Sequence, residues 1–139
     1  MKVVFAGNNA YIEIEIIAYE RPDPLCRDDA NWLSCRFGWQ LGNSMMLKAD
    51  LALQTNDFDN LAKDIEQFES TSRKIIFCSS EKTLCFEIEK NKNEIMMAGQ
   101  LAVTSGYAKC VSNFSFPLEN WDAMTTAVRE IALCFPVLE

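Results

Sequence analysis

The sequence predicts an α+β fold in which a set of antiparallel strands followed by a helix occurs twice. Two internal matches predict it. The chain reads KVVF at residues 2–5 and KIIF at residues 74–77, an offset of 72 residues. Residues 51–68, a short strand leading into a helix, match residues 114–131 at an offset of 63. Because the matched elements follow one another in the same order, two sheets and two helices are expected.

The strands of the two halves show the same alternation. Ile12, Ile14 and Ile16 alternate with two glutamates, which is the pattern of a strand with one face buried. At the offset of 72, the same positions are occupied by Leu84, Phe86 and Ile88. We therefore predict one pseudo-symmetric domain over residues 1–139, with structural repeats at 1–72 and 73–139.

Each predicted helix carries one apolar stripe. Apolar side chains recur at i, i+3, i+7 and i+10 in both, namely Phe58, Leu61, Ile65 and Phe68 in the first and Trp121, Met124, Val128 and Ile131 in the second. Asn56 and Asn120 precede the stripes and are predicted to cap the two helices. Pro136 is predicted to end the second helix.

The two halves differ in length and in charge. The offset falls from 72 to 63, so the first half holds nine additional residues between positions 18 and 50, most obviously within residues 19–31. Of the net charge of −7, residues 1–72 contribute −6 and residues 73–139 contribute −1. An acidic binding surface is therefore expected on the first half. For each carboxylate taken singly, a solvated loop or helix face is the alternative.

The sequence lacks the residues that several kinds of active site require. It has no histidine, no glycine-rich dinucleotide or phosphate loop, and no C-x-x-C pair. These absences argue against the common nucleophile–base systems, catalytic zinc and nucleotide cofactors. Ser79 and Lys82 have the S-x-x-K spacing but fall between two predicted strands, where a hairpin turn is expected. The sequence therefore predicts a protein that is not an enzyme and that uses no metal or cofactor.

Composition also limits the partners and the compartment. A net charge of −7 and a pI of about 4.6 disfavour direct binding to nucleic acid or to an anionic membrane, since both require a basic patch. The apolar N-terminal run is broken by Gly7, Asn8 and Asn9, unlike a signal peptide. A cytoplasmic location is expected, with the six cysteines as reduced, mostly buried thiols.

Residues 27–35, RDDANWLSC, form a cluster of acidic and aromatic side chains at the end of the additional segment. In a structural interpretation, Trp32 begins a strand and buries its ring while Asn31 or Asp29 hydrogen-bonds the turn. In a binding interpretation, the tryptophan or a neighbour is an exposed anchor rimmed by carboxylates. A catalytic interpretation is weakest, because adjacent aspartates point in different directions.

A proline-containing turn followed by DDANWL at residues 28–33 resembles the DANWL signature of the WapI-family immunity proteins. FSFPLENW at 114–121 and CFPV at 134–137 extend the resemblance over almost the whole chain. The resemblance implies a cytosolic immunity protein of a bacterial polymorphic-toxin or contact-dependent inhibition system. Its partner would be the C-terminal toxin domain of a large secreted or contact-delivered protein, often an RNase, neutralised by stoichiometric binding without turnover.

A basic toxin of this kind would be met by the carboxylates of the additional segment and the first helix: Glu20, Asp23, Asp28, Asp29, Asp57, Asp59 and Asp64. Asn31 and Trp32 are the expected structural signature. The alternative function is a small cytosolic ligand-binding domain or enzyme with a carboxylate-lined cavity between the sheets. A subunit that self-associates through its repeat is a third possibility.

Overall fold

The computed structural model describes residues 1–7, 10–20, 30–42, 45–92, 94–102 and 109–138, and it confirms the α+β class. Two antiparallel four-stranded sheets have their strands in consecutive order. Sheet 1 consists of β1 (Lys2–Ala6), β2 (Ala10–Tyr19), β3 (Trp32–Leu41) and β4 (Met45–Gln54), and sheet 2 of β5 (Ile75–Cys78), β6 (Leu84–Asn91), β7 (Glu94–Ala102) and β8 (Lys109–Phe116). Helix α1 (Thr55–Thr71) follows sheet 1, and α2 (Leu118–Cys134) follows sheet 2.

Sheet 1 has an apolar inner face and a polar outer face. On β2 the three isoleucines at 12, 14 and 16 are buried, while Glu13 and Glu15 lie on the outer face. The strand register shows which residues of the other strands lie on each face, because directly paired residues share a face. Glu13 is paired with Gly38 and Glu15 with Arg36, so these residues of β3 also lie on the outer face.

The two sheets and the two helices contribute to one hydrophobic core. Phe5 of β1 packs edge-on against Phe86 of β6, with ring centroids 5.4 Å apart, so the inner faces of the sheets meet directly. The helices contact each other through Phe68 and Trp121, whose ring centroids are 4.9 Å apart. All eight residues of the two predicted helical stripes are buried, which confirms the spacing.

Each helix packs against the first strand of the opposite half. Helix α2 lies against β1, where Asn120 Nδ2 donates a hydrogen bond of 2.8 Å to the carbonyl oxygen of Ala6. Helix α1 lies against β5, and the Ser80 N–H just beyond that strand donates to Asp57 Oδ1 at 3.0 Å. Asp57 and Asn120 are both third residues of their helices. The halves therefore share an order of elements and interlock, while a duplication of the sequence stays a prediction.

The predicted helix caps are wrong, although the predicted helices are present. Gln54 is the N-cap of α1, so Asn56 lies within its first turn, and α2 begins two residues before Asn120. The carboxylate of Asp57 supplies the capping contact, since its Oδ2 accepts from the Gln54 N–H at 2.8 Å. Helix α2 ends two residues before Pro136, as predicted. No helix in the described ranges is long and apolar enough to cross a membrane.

Two cysteines form a disulfide bond, contrary to the prediction that all six are reduced. Cys78 and Cys85 are directly paired across β5 and β6 and form a disulfide, so the prediction of reduced thiols is wrong for them. Strand pairing brings their Cα atoms to 4.1 Å from each other, and a spacing of seven residues alone does not reveal that register. Cys35 is buried, and burial raises the pKa of its thiol to about 12. Cys134 is exposed, and Cys26 lies outside the described residues.

Candidate binding surfaces

Asn31 joins three parts of the chain at the end of the additional segment. Its Oδ1 accepts hydrogen bonds from Thr55 Oγ1 at 3.0 Å and from the Leu138 N–H at 2.7 Å, and its Nδ2 donates to the Leu138 carbonyl oxygen at 3.1 Å. Its own carbonyl oxygen accepts from the Thr55 N–H at 2.9 Å. Asn31 is only 8% exposed. These contacts tie the start of β3 to the start of α1 and to the C-terminal tail.

Residues next to Asn31 join the two ends of the additional segment. Trp32 is the first residue of β3 and is half-buried, and its carbonyl oxygen accepts from the Glu20 N–H at 2.8 Å. The ring of Tyr19 packs edge-on against Phe135, with centroids 5.4 Å apart, and its hydroxyl donates to the Pro136 carbonyl oxygen at 3.4 Å. Residues 20 and 32 are therefore held together by their backbones.

The expected contact carboxylates do not form one cluster in the described structure. Glu20 is exposed at the end of β2, whereas Asp59 and Asp64 are half-buried on α1. Asp59 forms an ion pair with Lys63, in which Lys63 Nζ lies 2.7 Å from Asp59 Oδ2. Asp64 follows Asp59 by five positions, which places the two side chains about 140° apart around the helix, so they do not share a face. Asp23, Asp28 and Asp29 lie outside the described residues.

Asp57 differs from the other carboxylates because it is an internal link. It is 5% exposed, and its Oδ1 accepts from both the N–H and the hydroxyl of Ser80, at 3.0 and 2.8 Å. Its Oδ2 is bonded to the Gln54 N–H. A carboxylate that is buried and already satisfied offers little to an external cation. Asp57 is therefore not expected to contact the partner.

The S-x-x-K residues occupy a turn, and the described residues show no metal site. Ser79 and Lys82 lie in the β5–β6 hairpin turn, as predicted, where Ser79 Oγ accepts from the Leu84 N–H at 3.2 Å. Within the part of the chain that the structure describes, no three acidic or cysteine side chains converge as metal ligands. Asp57 is also the one buried carboxylate among the described residues. Nothing in the described core therefore favours a carboxylate-lined cavity between the sheets.

A hollow on the outer face of sheet 1 was not foreseen from the sequence. It has a volume of about 290 Å³, and Tyr11, Glu13, Gly38, Trp39, Gln40 and Lys48 line it. Tyr11 donates its hydroxyl hydrogen bond to Glu13 Oε2, and Lys2 Nζ lies 3.2 Å from Glu13 Oε1. The hydrogen bond between the two side chains is the main cause of both pKa shifts: it raises the pKa of Tyr11 to about 12 and lowers the pKa of Glu13. At neutral pH one wall of the hollow is therefore a charged carboxylate beside a protonated phenol.

The sequence contains one sign of this hollow, a glycine within a strand, but that sign has several meanings. Gly38 occupies an outward position in a strand whose inward positions are filled by Leu33, Cys35, Phe37 and Trp39. A glycine within a strand can mark a bulge, a bend or a place where another molecule approaches, and sequence alone does not choose among these.

Comparison with known proteins identifies the family. The family model described as "Immunity protein WapI-like family" matches residues 3–131. The chain belongs to the WapI-like immunity protein family. The match spans both sheets and nearly all of α2, so the expected family resemblance is confirmed over the whole fold. No curated protein sequence matches the chain.

A solved structure supports the architecture of this WapI-like protein. The crystal structure of WHY1 from Arabidopsis thaliana is similar with a TM-score of 0.58, and the match covers 99% of this chain and 85% of that one. The two sequences are 9% identical, so the likeness concerns the fold alone. As a member of a family of immunity proteins, the WapI-like chain has a toxin as its partner.

Proposed function

We propose that this WapI-like protein neutralises a cognate toxin domain in the bacterial cytoplasm by forming a stoichiometric complex, without catalysing a reaction. The observation that carries the proposal is the family match over residues 3–131. The charge is consistent with it, because a net charge of −7 favours a basic partner such as a nuclease, whose own substrate is a polyanion.

Co-expression tests this proposal directly. The probe is the C-terminal domain of a large toxin protein whose gene, on this proposal, lies beside the gene of this chain. Cells that produce the domain alone should stop growing, and cells that also produce this chain should grow. A tagged, inactive toxin domain should co-purify the chain, and the mass of the complex should show a fixed ratio. Growth arrest without rescue, together with no co-purification, would contradict the proposal. The mass of the free chain, measured in parallel, addresses self-association.

We further propose that carboxylates of the first half accelerate association with the toxin. Glu20, Asp23, Asp28 and Asp29 flank or lie within the additional segment, and Asp59 and Asp64 extend the negative charge onto α1. Charges that are not buried in a complex act mainly on the rate of encounter and on its dependence on salt. The carboxylates should therefore influence association more than dissociation.

Replacing the four carboxylates of the additional segment by their amides should slow association about tenfold at low ionic strength and flatten its salt dependence. Stopped-flow mixing with the inactive toxin domain at several salt concentrations measures both. The matched control removes four exposed carboxylates of the second half: Glu81, Glu94, Asp122 and Glu130. Equal slowing in both variants would show that net charge matters but that the additional segment is not the contact. The pair Asp59 and Asp64, neutralised separately, tests α1.

A further inference from the structure

Gly38 is not required by the fold in the way that glycines usually are. It lies in the middle of β3, its pairing with Glu13 and Lys48 is continuous, and the register shift of this sheet lies elsewhere, between Ile16 and Ala18. Its φ is not positive, unlike that of Gly42. Among the described residues, an added methyl group would contact only the Cβ of Glu13, at 4.0 Å. Backbone conformation and internal packing therefore permit a larger residue.

A glycine at this position weakens the strand, because it contributes no side chain to the sheet and loses more conformational entropy on folding. What it provides is the open floor of the hollow described above. Tyr11 and Glu13 stand on β2 to one side of that floor, and Lys48 stands on β4 to the other. Of the roles that a strand glycine can have, the close approach of another molecule is the one that this open floor suits.

The charges around the hollow indicate what would occupy it. The outer face has three acidic residues, Glu13, Glu15 and Asp50, and three basic ones, Lys2, Arg36 and Lys48. Two ion pairs join them: Lys2 Nζ lies 3.2 Å from Glu13 Oε1, and Arg36 Nη1 lies 3.4 Å from Glu15 Oε2. Because these charges balance, the face does not favour a cluster of cations or of anions. It complements a neutral, amphipathic side chain that contacts the Tyr11 ring and the Lys48 methylenes and places a polar edge near the charged rim.

We infer that the hollow over Gly38 receives one large aromatic side chain of the toxin domain and is an anchor point of the complex. The inference rests on the proposed function, and it adds a contact that is distinct from the carboxylates of the additional segment. Gly38 follows Asn31 by seven residues, roughly 20 Å along an extended strand. An interface of ordinary size can include both the hollow and the base of that segment. Aromatic side chains in fitted pockets typically dominate the affinity of such interfaces.

Filling the hollow should affect folding and binding in opposite directions. Gly38→Thr should raise the midpoint of thermal unfolding by roughly 2–5 °C, because threonine suits a strand better than glycine. The same change should raise the Kd for the inactive toxin domain at least about tenfold, because the hydroxyl and methyl groups occupy the floor. Gly38→Ala should show both effects to a smaller extent. Isothermal titration and a thermal melt of each purified variant measure them.

Ser34→Thr is the matched control, since residue 34 lies on the same strand and outer face but is not part of the hollow. It should leave the Kd within about twofold of the original, as most interface contacts do. If both Gly38 variants melt at a lower temperature, the glycine serves the fold and the inference is overturned. Unchanged affinity of Gly38→Thr overturns it as well. If the original chain does not bind the toxin domain at all, it is the proposed function that fails.

The nature of the occupant is tested from the toxin side. Each exposed aromatic residue of the toxin domain is replaced by alanine, and its affinity is measured against the original chain and against Gly38→Thr. One replacement should weaken binding to the original chain while adding little to the loss already caused by Gly38→Thr. If an arginine or lysine replacement shows that coupling and no aromatic one does, the hollow receives a cation and the assignment of an aromatic occupant is wrong.

Discussion

Asp57→Ala is expected to lower the free energy of unfolding by roughly 3 kcal/mol, a large part of the stability of a typical domain. The carboxylate accepts three hydrogen bonds, from the Gln54 N–H, the Ser80 N–H and the Ser80 hydroxyl, at 2.8, 3.0 and 2.8 Å. Removing it breaks the half of the capping box of α1 in which the Asp57 carboxylate accepts from the Gln54 N–H. It also breaks a link between α1 and the segment after β5, because Ser80 lies 23 residues further along the chain.

Urea denaturation followed by circular dichroism measures this loss, and a thermal melt should show a fall of about 10 °C. Asp59→Ala is the matched control, since it removes a carboxylate two positions along the same helix whose partner among the described residues is the exposed Lys63. Its cost should stay below about 1 kcal/mol. Equal costs for the two variants would mean that the three bonds of Asp57 contribute no more than a surface ion pair.

The same pair of variants separates a folding role from a binding role. An Asp57 variant that binds the toxin poorly would be uninformative, because partial unfolding alone reduces the active concentration. For this reason the association experiments use Asp59 and Asp64 on α1 and leave Asp57 intact. The distinction matters because all three carboxylates look alike in the sequence, where each is an acidic residue of the same predicted helix.

The features that could be predicted from the sequence are those that depend on local periodicity. The alternation of Ile12, Ile14 and Ile16 with glutamates places β2 correctly, and the apolar stripes of both helices are buried as expected. These patterns succeed because the period of a strand or helix decides which side chains face the core. The family signature could also be recognised from the sequence, because its residues are consecutive.

What could not be read depends on contacts between distant residues. The Cys78–Cys85 disulfide follows from strand register, and the capping contact of Asp57 follows from which residue begins α1. The hollow at Gly38 requires knowing that Tyr11 of β2 and Lys48 of β4 flank β3 on the same face. None of these pairings has a period, so single-sequence patterns give them no distinct signal.

Asn31→Ala is expected to cost roughly 2–3 kcal/mol of unfolding free energy and to release the C-terminal tail. Three hydrogen bonds of its side chain are lost, two to Leu138 and one to the Thr55 hydroxyl. Thr55 is fully buried, so its hydroxyl would lose a partner where water does not readily replace it. The backbone of the exposed Leu138 can turn to solvent, so most of the cost arises at Thr55 and in the loosened tail.

Two measurements distinguish this effect from an ordinary surface change. Urea denaturation gives the loss of stability, with Asn60→Ala as the control because Asn60 is exposed on α1. Amide hydrogen exchange should show faster exchange at Leu138, which in the intact protein donates to Asn31 Oδ1 at 2.7 Å. Asn31→Asp should also weaken the tail, because it replaces the amide donor to the Leu138 carbonyl oxygen with a second acceptor. Stability and exchange matching those of Asn60→Ala would mean that Asn31 does not hold the three segments together, and the binding interpretation of the DANWL signature would then gain over the structural one.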